Sequence, residues 1–435
     1  MISDKNSQTA IEFDKFLKSL QHNINESIDE KQAIEMLAQH LITAPIFEAL
    51  FGEYSFVNNN PVSEAMDKIV EELSRFGGFN KEQDELKDFY DSVKLRAEGI
   101  DNAEAKQRII TTLYENFFKK GFNDTTKKMG IVFTPVEIVD FIVKSVDVLL
   151  KKHFGKAIED EGVHILDPFT GTGTFIVRTL HYLKDKLVNG EITLADITRK
   201  YTQELHANEI VLLSYYIAAI NIESTFAEIN HEEYKPFEGI VLTDTFESTE
   251  QEDTLDDSFF GTNDERLKRQ KEVQITAIMG NPPYSSKQEN EDENFSRISY
   301  PLLDSSLRSL WVETSSATNK NGLFDSYIRA IRWSANQLDK NGIIGFITNS
   351  SFIDGNAMDG LRKSLLKEFS DIYVIDLKGQ IRRRSKEQVK IEGGNVFDIM
   401  TGVAITILIK DEKRIGEGNL RYLNIGNGLK KADKL

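Results

Sequence analysis

The chain has 435 residues, 40% of them hydrophobic and 28% charged, enough to bury a large core and to hold two or three domains. It contains no cysteine, which excludes disulfides, thiolate metal sites and cysteine nucleophiles together. A formal net charge of −17 is the wrong sign for a protein that grips phosphates by charge alone.

No apolar run nears the roughly 20 residues of a membrane span, and no basic-then-apolar leader opens the chain, so a cytoplasmic location is expected. Residues 1–120 read as a helical domain without a catalytic signature. Ile34, Leu37 and Leu41 share one apolar face, and a break is expected near Pro45. A loop signal at Asn58–Pro61 precedes a second helical pattern through Ile69, Val70 and Leu73. The charged stretch Glu82–Lys119 places Ile109, Leu113 and Phe117 on a third face. No internal repeat is present.

Residues 121–412 read as the catalytic domain. Thr134-Pro135-Val136-Glu137 is a helix start with Thr134 as cap, and Ile138, Ile142, Val146 and Leu149 follow on one face. Val163–Asp167 is a strand, Pro168–Phe175 a glycine-rich turn containing Gly171 and Gly173, and Ile176, Leu180, Leu183 and Leu187 a helix face. Strand, glycine turn and helix in this order open a nucleotide-binding α/β unit. The strand ends in Asp167, an anion where a pyrophosphate would otherwise lie, so the turn favours a ligand with a cationic ammonium and no phosphates. S-adenosylmethionine fits that description better than NAD or ATP.

A second strand is expected over Thr202–Glu209, with Glu209, immediately before the next helix, preferred to Glu204 as the acid for ribose hydroxyls. Gly239–Phe246 gives a third strand, its Asp244 and Phe246 suited to clamp adenine. The fourth, Ile275–Met279, stops at Gly280-Asn281-Pro282-Pro283-Tyr284, since proline fixes φ and lacks an N–H. The Asn281 side-chain oxygen and the Pro282 carbonyl make an acceptor pair for a planar amino group, and Tyr284 can hold a flat heterocycle. Glu247–Lys271 and Ser285–Lys320 read as charged loop excursions. Beyond them, Phe324–Leu338 is helical with Tyr327 near its start; Gly342–Asn349, Asp371–Leu377 and, last, Val403–Lys410 are strands. Leu361, Leu365 and Leu366 mark a helix between the first two of these. The run Lys378–Lys390 is basic, with Arg382, Arg383 and Arg384 emerging at the carboxyl end of a strand, where substrate would lie, and Phe397 lies in the loop before the last strand.

Asp167–Phe175 together with Asn281–Tyr284 resembles amino-group DNA methyltransferases that modify adenine at N6, and Phe133-Thr134-Pro135 ahead of the first strand resembles the γ order of their motifs. Gly342–Gly379, Asn395–Ile399 and Gly402-Val403-Ala404 look like the methyltransferase part of single-polypeptide (type ISP) restriction-modification enzymes. Ala33–Pro45 is similar to the helical coupler of those enzymes. The resemblance implies a Rossmann-like, S-adenosylmethionine-dependent sheet acting on DNA within a restriction-modification or phage-defence system. It implies that Thr134 meets the cofactor's carboxylate, Asp167 its ammonium, Glu209 its ribose and Asp244 its adenine amino group, with Phe246 and Tyr327 as apolar walls. Asn281 and Pro282 would bind the target amine, while Tyr284 and Phe397 would sandwich the flipped base. No metal is required. Nuclease and helicase-like motor motifs are missing, and 413–435 reads as a linker toward a target-recognition domain, so partners outside this chain are expected. A protein side-chain amide presents the same planar NH₂, which leaves glutamine methylation, or a non-catalytic cofactor-binding scaffold, as alternatives.

Overall fold

A computed structural model describes residues 7–51, 59–75, 91, 95, 134–231, 233–250, 259–283, 299–381 and 384–435. Its contacts divide the chain into two compact units. One takes in the N-terminal region with Gly171–Gly173 and Asn208–Glu272; the other takes in Asn123–Thr170, Thr174–Ala207 and Val273–Leu435. The helical N-terminus therefore shares a unit with the middle of the chain, across the expected boundary at residue 120.

In the first unit, the helices Gln8–Asn23, Glu30–Phe51 and Pro61–Arg75 bury Phe13, Phe16, Leu20, Leu37, Met66, Ile69 and Leu73. They meet the helix Leu212–Ile229, which is buried almost throughout, through polar contacts placed in an otherwise apolar seam. The His40 ring lies 3.0 Å from the Tyr216 hydroxyl and 2.9 Å from Asp67, and Asn60 donates to the Tyr215 hydroxyl at 3.3 Å. Pro45 does not break its helix, which runs through it to Phe51; Ile46 and Phe47 just beyond are buried, and their burial, about 1.5–3 kcal/mol each, can offset one lost backbone bond. Ile34 departs from its expected face and is 46% exposed. The helix Gly261–Glu272 also lies here, within a stretch expected to be loop; the Asn263 side chain brackets Leu242, accepting from its N–H and donating to its carbonyl, and so pins that helix to the strand Ile240–Leu242.

The sheet has 8 strands among the described residues: β1 His164–Asp167, β2 Leu205–Glu209, β3 Ile240–Leu242, β4 Ile275–Gly280, β5 Gly342–Asn349, β6 Asp371–Lys378, β7 Val403–Lys410 and β8 Asn419–Asn424. Their order is β3-β2-β1-β4-β5-β7-β6-β8. Strands β1, β2, β4 and β5 are parallel, and β7 runs antiparallel between β5 and β6. Ile343, Ile344, Phe346 and Ile347 of β5 are at most 1% exposed, as expected of a near-continuous apolar strand paired on both edges. The helix Val136–Phe154 lies so close over β5 that a Cβ on Gly345 would meet Ile142 at 2.9 Å.

The second strand starts at Leu205 because Lys200–Glu204 forms a π-helical turn. Lys200 is fully buried there, donating to the carbonyls of Asp160 and Val163 and pairing with Glu204 at 2.8 Å. Val403–Lys410 is not the last strand: β8, in the tail expected to be a linker, pairs in parallel with β6. Its residues are all exposed, the apolar Leu420, Tyr422 and Leu423 among them, so no buried face marks it as a strand. Ser285–Lys320, expected as loop, contains the helix Pro301–Leu307, followed by a turn that buries Trp311. Among the described residues no helix is long and apolar enough to cross a membrane.

Candidate active site

The chain passes from β1 outward through β2 to β3, then returns to pair β4 on the opposite edge of β1. That reversal makes the carboxyl ends of β1 and β4 the place where an open α/β sheet holds a ligand.

In the second unit, β1 delivers Asp167 and β4 delivers Gly280 to these two ends. Asp167 is 1% exposed, and its Oδ1 accepts the Phe169 amide at 3.1 Å. A Cβ on Gly280 would fall 2.9 Å from that same oxygen, so only glycine lets β4 approach the carboxylate. Asn281 follows, and its Nδ2 donates to the Thr134 hydroxyl at 3.0 Å. Thr134 does not cap its helix: Pro135 occupies the cap position without a side-chain hydrogen bond, and the Thr134 oxygen is engaged by the asparagine. Committing the amide nitrogen to Thr134 turns the Asn281 oxygen to the other side of the group. Pro282 and Pro283 continue from Asn281; Tyr284 lies outside the described residues, as do Phe133, Arg382 and Arg383.

Tyr327 is fully buried in this unit, with its hydroxyl 3.0 Å from Ser351, and burial pushes its phenol well above the ordinary range. Phe397 is 8% exposed. Its loop is built on Asn395, which sequence reasoning did not single out. Asn395 accepts from the amides of Phe397 and Ile399 and donates to the carbonyls of Gly379 and Thr401. Arg384 reaches Glu392 at 4.0 Å, so an acid of the neighbouring helix meets part of its charge.

In the first unit, Glu209 accepts the Gly171 amide at 2.7 Å and the Val211 amide at 2.8 Å. Burial outweighs both bonds and pushes its carboxyl up to about 7. Glu204, the rejected alternative, is instead tied to Lys200 and to the Gly162 amide in the other unit. Gly173 has φ +88° and lies against Ala218, whose backbone a Cβ would meet at 3.2 Å, so the turn requires glycine there. Asp244, past the end of β3, accepts the Phe246 amide at 2.9 Å, and Phe246 is buried.

The donor set of the glycine turn tests the cofactor. The Gly171 amide already serves the Glu209 carboxylate, so a pyrophosphate would meet an anion rather than an open cradle of N–H groups. A ligand that donates ribose hydroxyls and carries a cationic ammonium fits, and this sheet with this turn defines an S-adenosylmethionine-dependent methyltransferase.

The chain belongs to the N-6 DNA methylase family, whose description matches residues 105–391, while residues 1–105 match the coupler domain of Type ISP restriction-modification enzymes. It is 69% identical to the solved ATP-dependent Type ISP restriction-modification enzyme LlaBIII bound to DNA, with a TM-score of 0.95, covering 100% of this chain and 29% of that one. A nuclease-deletion mutant of the Type ISP enzyme LlaGI, in complex with a DNA substrate mimic, is 60% identical with a TM-score of 0.92, covering 100% and 34%. The Type I restriction enzyme MjaVII methylase subunit of Methanocaldococcus jannaschii is 25% identical over 245 residues, 52% of this chain and 37% of the relative. The chain thus spans about a third of the length of these relatives and corresponds to the coupler and methyltransferase region of the single-polypeptide enzymes.

Proposed function

We propose that this chain transfers a methyl group from S-adenosylmethionine to the N6 amino group of adenine in DNA, within a restriction-modification system. The observation that carries the reading is the Asn281 amide, set at the carboxyl end of β4 with its nitrogen tied to Thr134 and followed by two prolines. Bound S-adenosylmethionine supplies an electrophilic methyl group. Asp167, Glu209, Asp244 and the glycine turn would hold it, with Phe246 and Tyr327 as apolar walls of its adenine site.

An exocyclic adenine nitrogen is a poor nucleophile because its lone pair is conjugated with the ring. The Asn281 oxygen and the Pro282 carbonyl accept its two N–H groups and favour a pyramidal nitrogen. Charge that builds on the nitrogen during transfer strengthens both bonds, so they stabilise the transition state more than the ground state. The base leaves the duplex to reach these acceptors, with Tyr284 and Phe397 stacking on it. Thr134 can serve two partners, because a hydroxyl that accepts from Asn281 keeps its own proton to donate to the cofactor's carboxylate.

Sequencing DNA from cells that express the chain with its partner domains tests the activity. N6-methyladenine at a defined sequence supports it. Unmodified DNA beside a methylated glutamine in a protein would favour the amide substrate instead, and neither product would favour a scaffold.

Changing Gly280 to Ala is expected to weaken S-adenosylmethionine binding roughly tenfold by displacing the Asp167 carboxylate, with the fold retained. Calorimetry on the variant checks this; unchanged affinity would remove Asp167 from the cofactor site.

Duplex DNA is expected to bind this chain weakly and with little sequence preference, since a net charge of −17 opposes its approach. Target-recognition, helicase and nuclease domains would supply selectivity and motion from outside. Replacing Arg382, Arg383 and Arg384 with Ala should reduce the remaining affinity and flatten its salt dependence. Tight, sequence-selective binding by the chain alone at physiological salt would show that recognition is already encoded in it.

A further inference from the structure

The acid expected to read the cofactor's adenine is held by a residue from the other end of the sequence. Asn25 lies just past the helix Gln8–Asn23 and is 2% exposed. Its Nδ2 donates to Asp244 Oδ2 at 2.6 Å, while the Asp244 amide donates to the Ile24 carbonyl at 3.3 Å. The Asn25 amide cannot turn over without loss, because its oxygen accepts both the N–H and the hydroxyl of Ser27, at 2.8 and 2.5 Å. The other carboxylate oxygen of Asp244 accepts from Phe246 and, at 3.4 Å, from Glu247. Both oxygens are therefore fixed by donors, one of them from within the coupler-matching region at residues 1–105.

We propose that Asn25 is a positioning residue of the cofactor pocket. It sets the Asp244 carboxylate in the orientation that accepts the adenine amino group, which makes the N-terminal helical region part of cofactor recognition. A carboxylate can accept about four hydrogen bonds, so an oxygen that takes the Asn25 amide can also take an amino group of a ligand. Asn25 supplies a neutral donor, which orients the carboxylate and leaves its charge in place; a lysine there would neutralise it. Any movement of the turn at Ile24 and Asn25 would reach the cofactor through these two contacts with Asp244. The inference rests on the reading of Asp244 as the adenine acceptor, and the experiment separates the two.

Calorimetry on the full chain would compare S-adenosylhomocysteine with S-inosylhomocysteine, in which a carbonyl oxygen replaces the 6-amino group. Wild type should prefer the adenosyl ligand, and Asp244→Ala should lose that preference. Asn25→Ala should weaken S-adenosylhomocysteine about tenfold and leave S-inosylhomocysteine unchanged, as loss of one hydrogen bond to a charged group predicts. Asn25→Ser, which keeps a polar group in the buried turn but is too short to reach Asp244, should behave alike if the alanine variant does not fold. The exchange Asn25→Asp with Asp244→Asn restores a bond between the two positions; it should recover thermal stability without the adenosyl preference. Equal weakening of both ligands by Asn25→Ala or Asn25→Ser would reduce the residue to a structural one, and no weakening would remove it from cofactor recognition. A wild type without preference would overturn the Asp244 reading itself, and with it the proposal.

Discussion

Asn281→Ala is expected to lower the rate of methyl transfer by about 10²-fold or more while cofactor affinity stays unchanged. The asparagine oxygen is assigned to the target amine, where its bond strengthens only as charge develops, so its loss should appear in the single-turnover rate and not in the binding isotherm. Thr134 sharpens the test. Its hydroxyl is tied to the Asn281 nitrogen at 3.0 Å, and Thr134→Val removes that tether at nearly constant volume. Losing one neutral hydrogen bond predicts a rate about two- to tenfold lower, restored by Thr134→Ser. In an Asn281→Ala background the rate effect of Thr134→Val should vanish, because the group it orients is gone. Cofactor affinity that falls as steeply as the rate in Asn281→Ala would move the residue from the target amine to the cofactor.

The parts of this arrangement that were legible in the sequence are those written in adjacent residues. Asp167 before a glycine turn, and Gly280 and Asn281 before two prolines, declare a strand, its end and the side chains placed there within ten residues or fewer. Strands β4, β5, β6 and β7 could be read because apolar runs of strand length leave no other use for their side chains. Three kinds of feature escaped. Strand order is fixed by pairings between distant segments, so the insertion of β7 between β5 and β6 has no local sign. Elements whose stability is tertiary look like something else: the π-helical turn at Lys200–Glu204 rests on a buried lysine, and β8 on its pairing with β6. The same holds for single contacts. Thr134 satisfies every local rule for a helix cap, yet its partner is 147 residues away, and Asn25 stands 219 residues from Asp244.

Glu209 carries the other large effect, and its pH dependence separates cofactor binding from stability. Glu209→Ala should abolish S-adenosylmethionine binding, since among the described residues no other acid of β2 stands at its carboxyl end to receive ribose hydroxyls. Glu209→Gln is the more informative change. Desolvation pushes the native carboxyl from 4.5 up to about 7 despite the backbone N–H groups of Val211, Gly171 and Ile210 that favour its ionised form. A folded value above the unfolded one means that the folded chain holds the proton more tightly. This contribution to stability is therefore complete below the unfolded value of 4.5 and is lost as pH rises through about 7. The effect is of the order of 3 kcal/mol by linkage. Glu223 is also raised to about 7 by burial and adds a loss of the same sign, while His153, His164, His181 and His206, lowered by burial, add a gain as pH rises through the ordinary imidazole range, so a pH profile of thermal unfolding contains all of these groups. Cofactor binding runs the other way. In the proposed role ribose hydroxyls donate to the ionised carboxylate, so affinity should climb toward a tenfold gain per pH unit below about pH 7 and level off above it. In Glu209→Gln the affinity profile should be flat and weak over the same interval, while the unfolding profile keeps the parts due to Glu223 and the buried histidines and loses only that of Glu209. Calorimetric titrations from about pH 5.5 to about pH 8.5, paired with melting curves, read both. A wild-type affinity that falls as pH rises would mean that the cofactor prefers the protonated acid, and Glu209 would then have to donate to the ligand rather than accept from it.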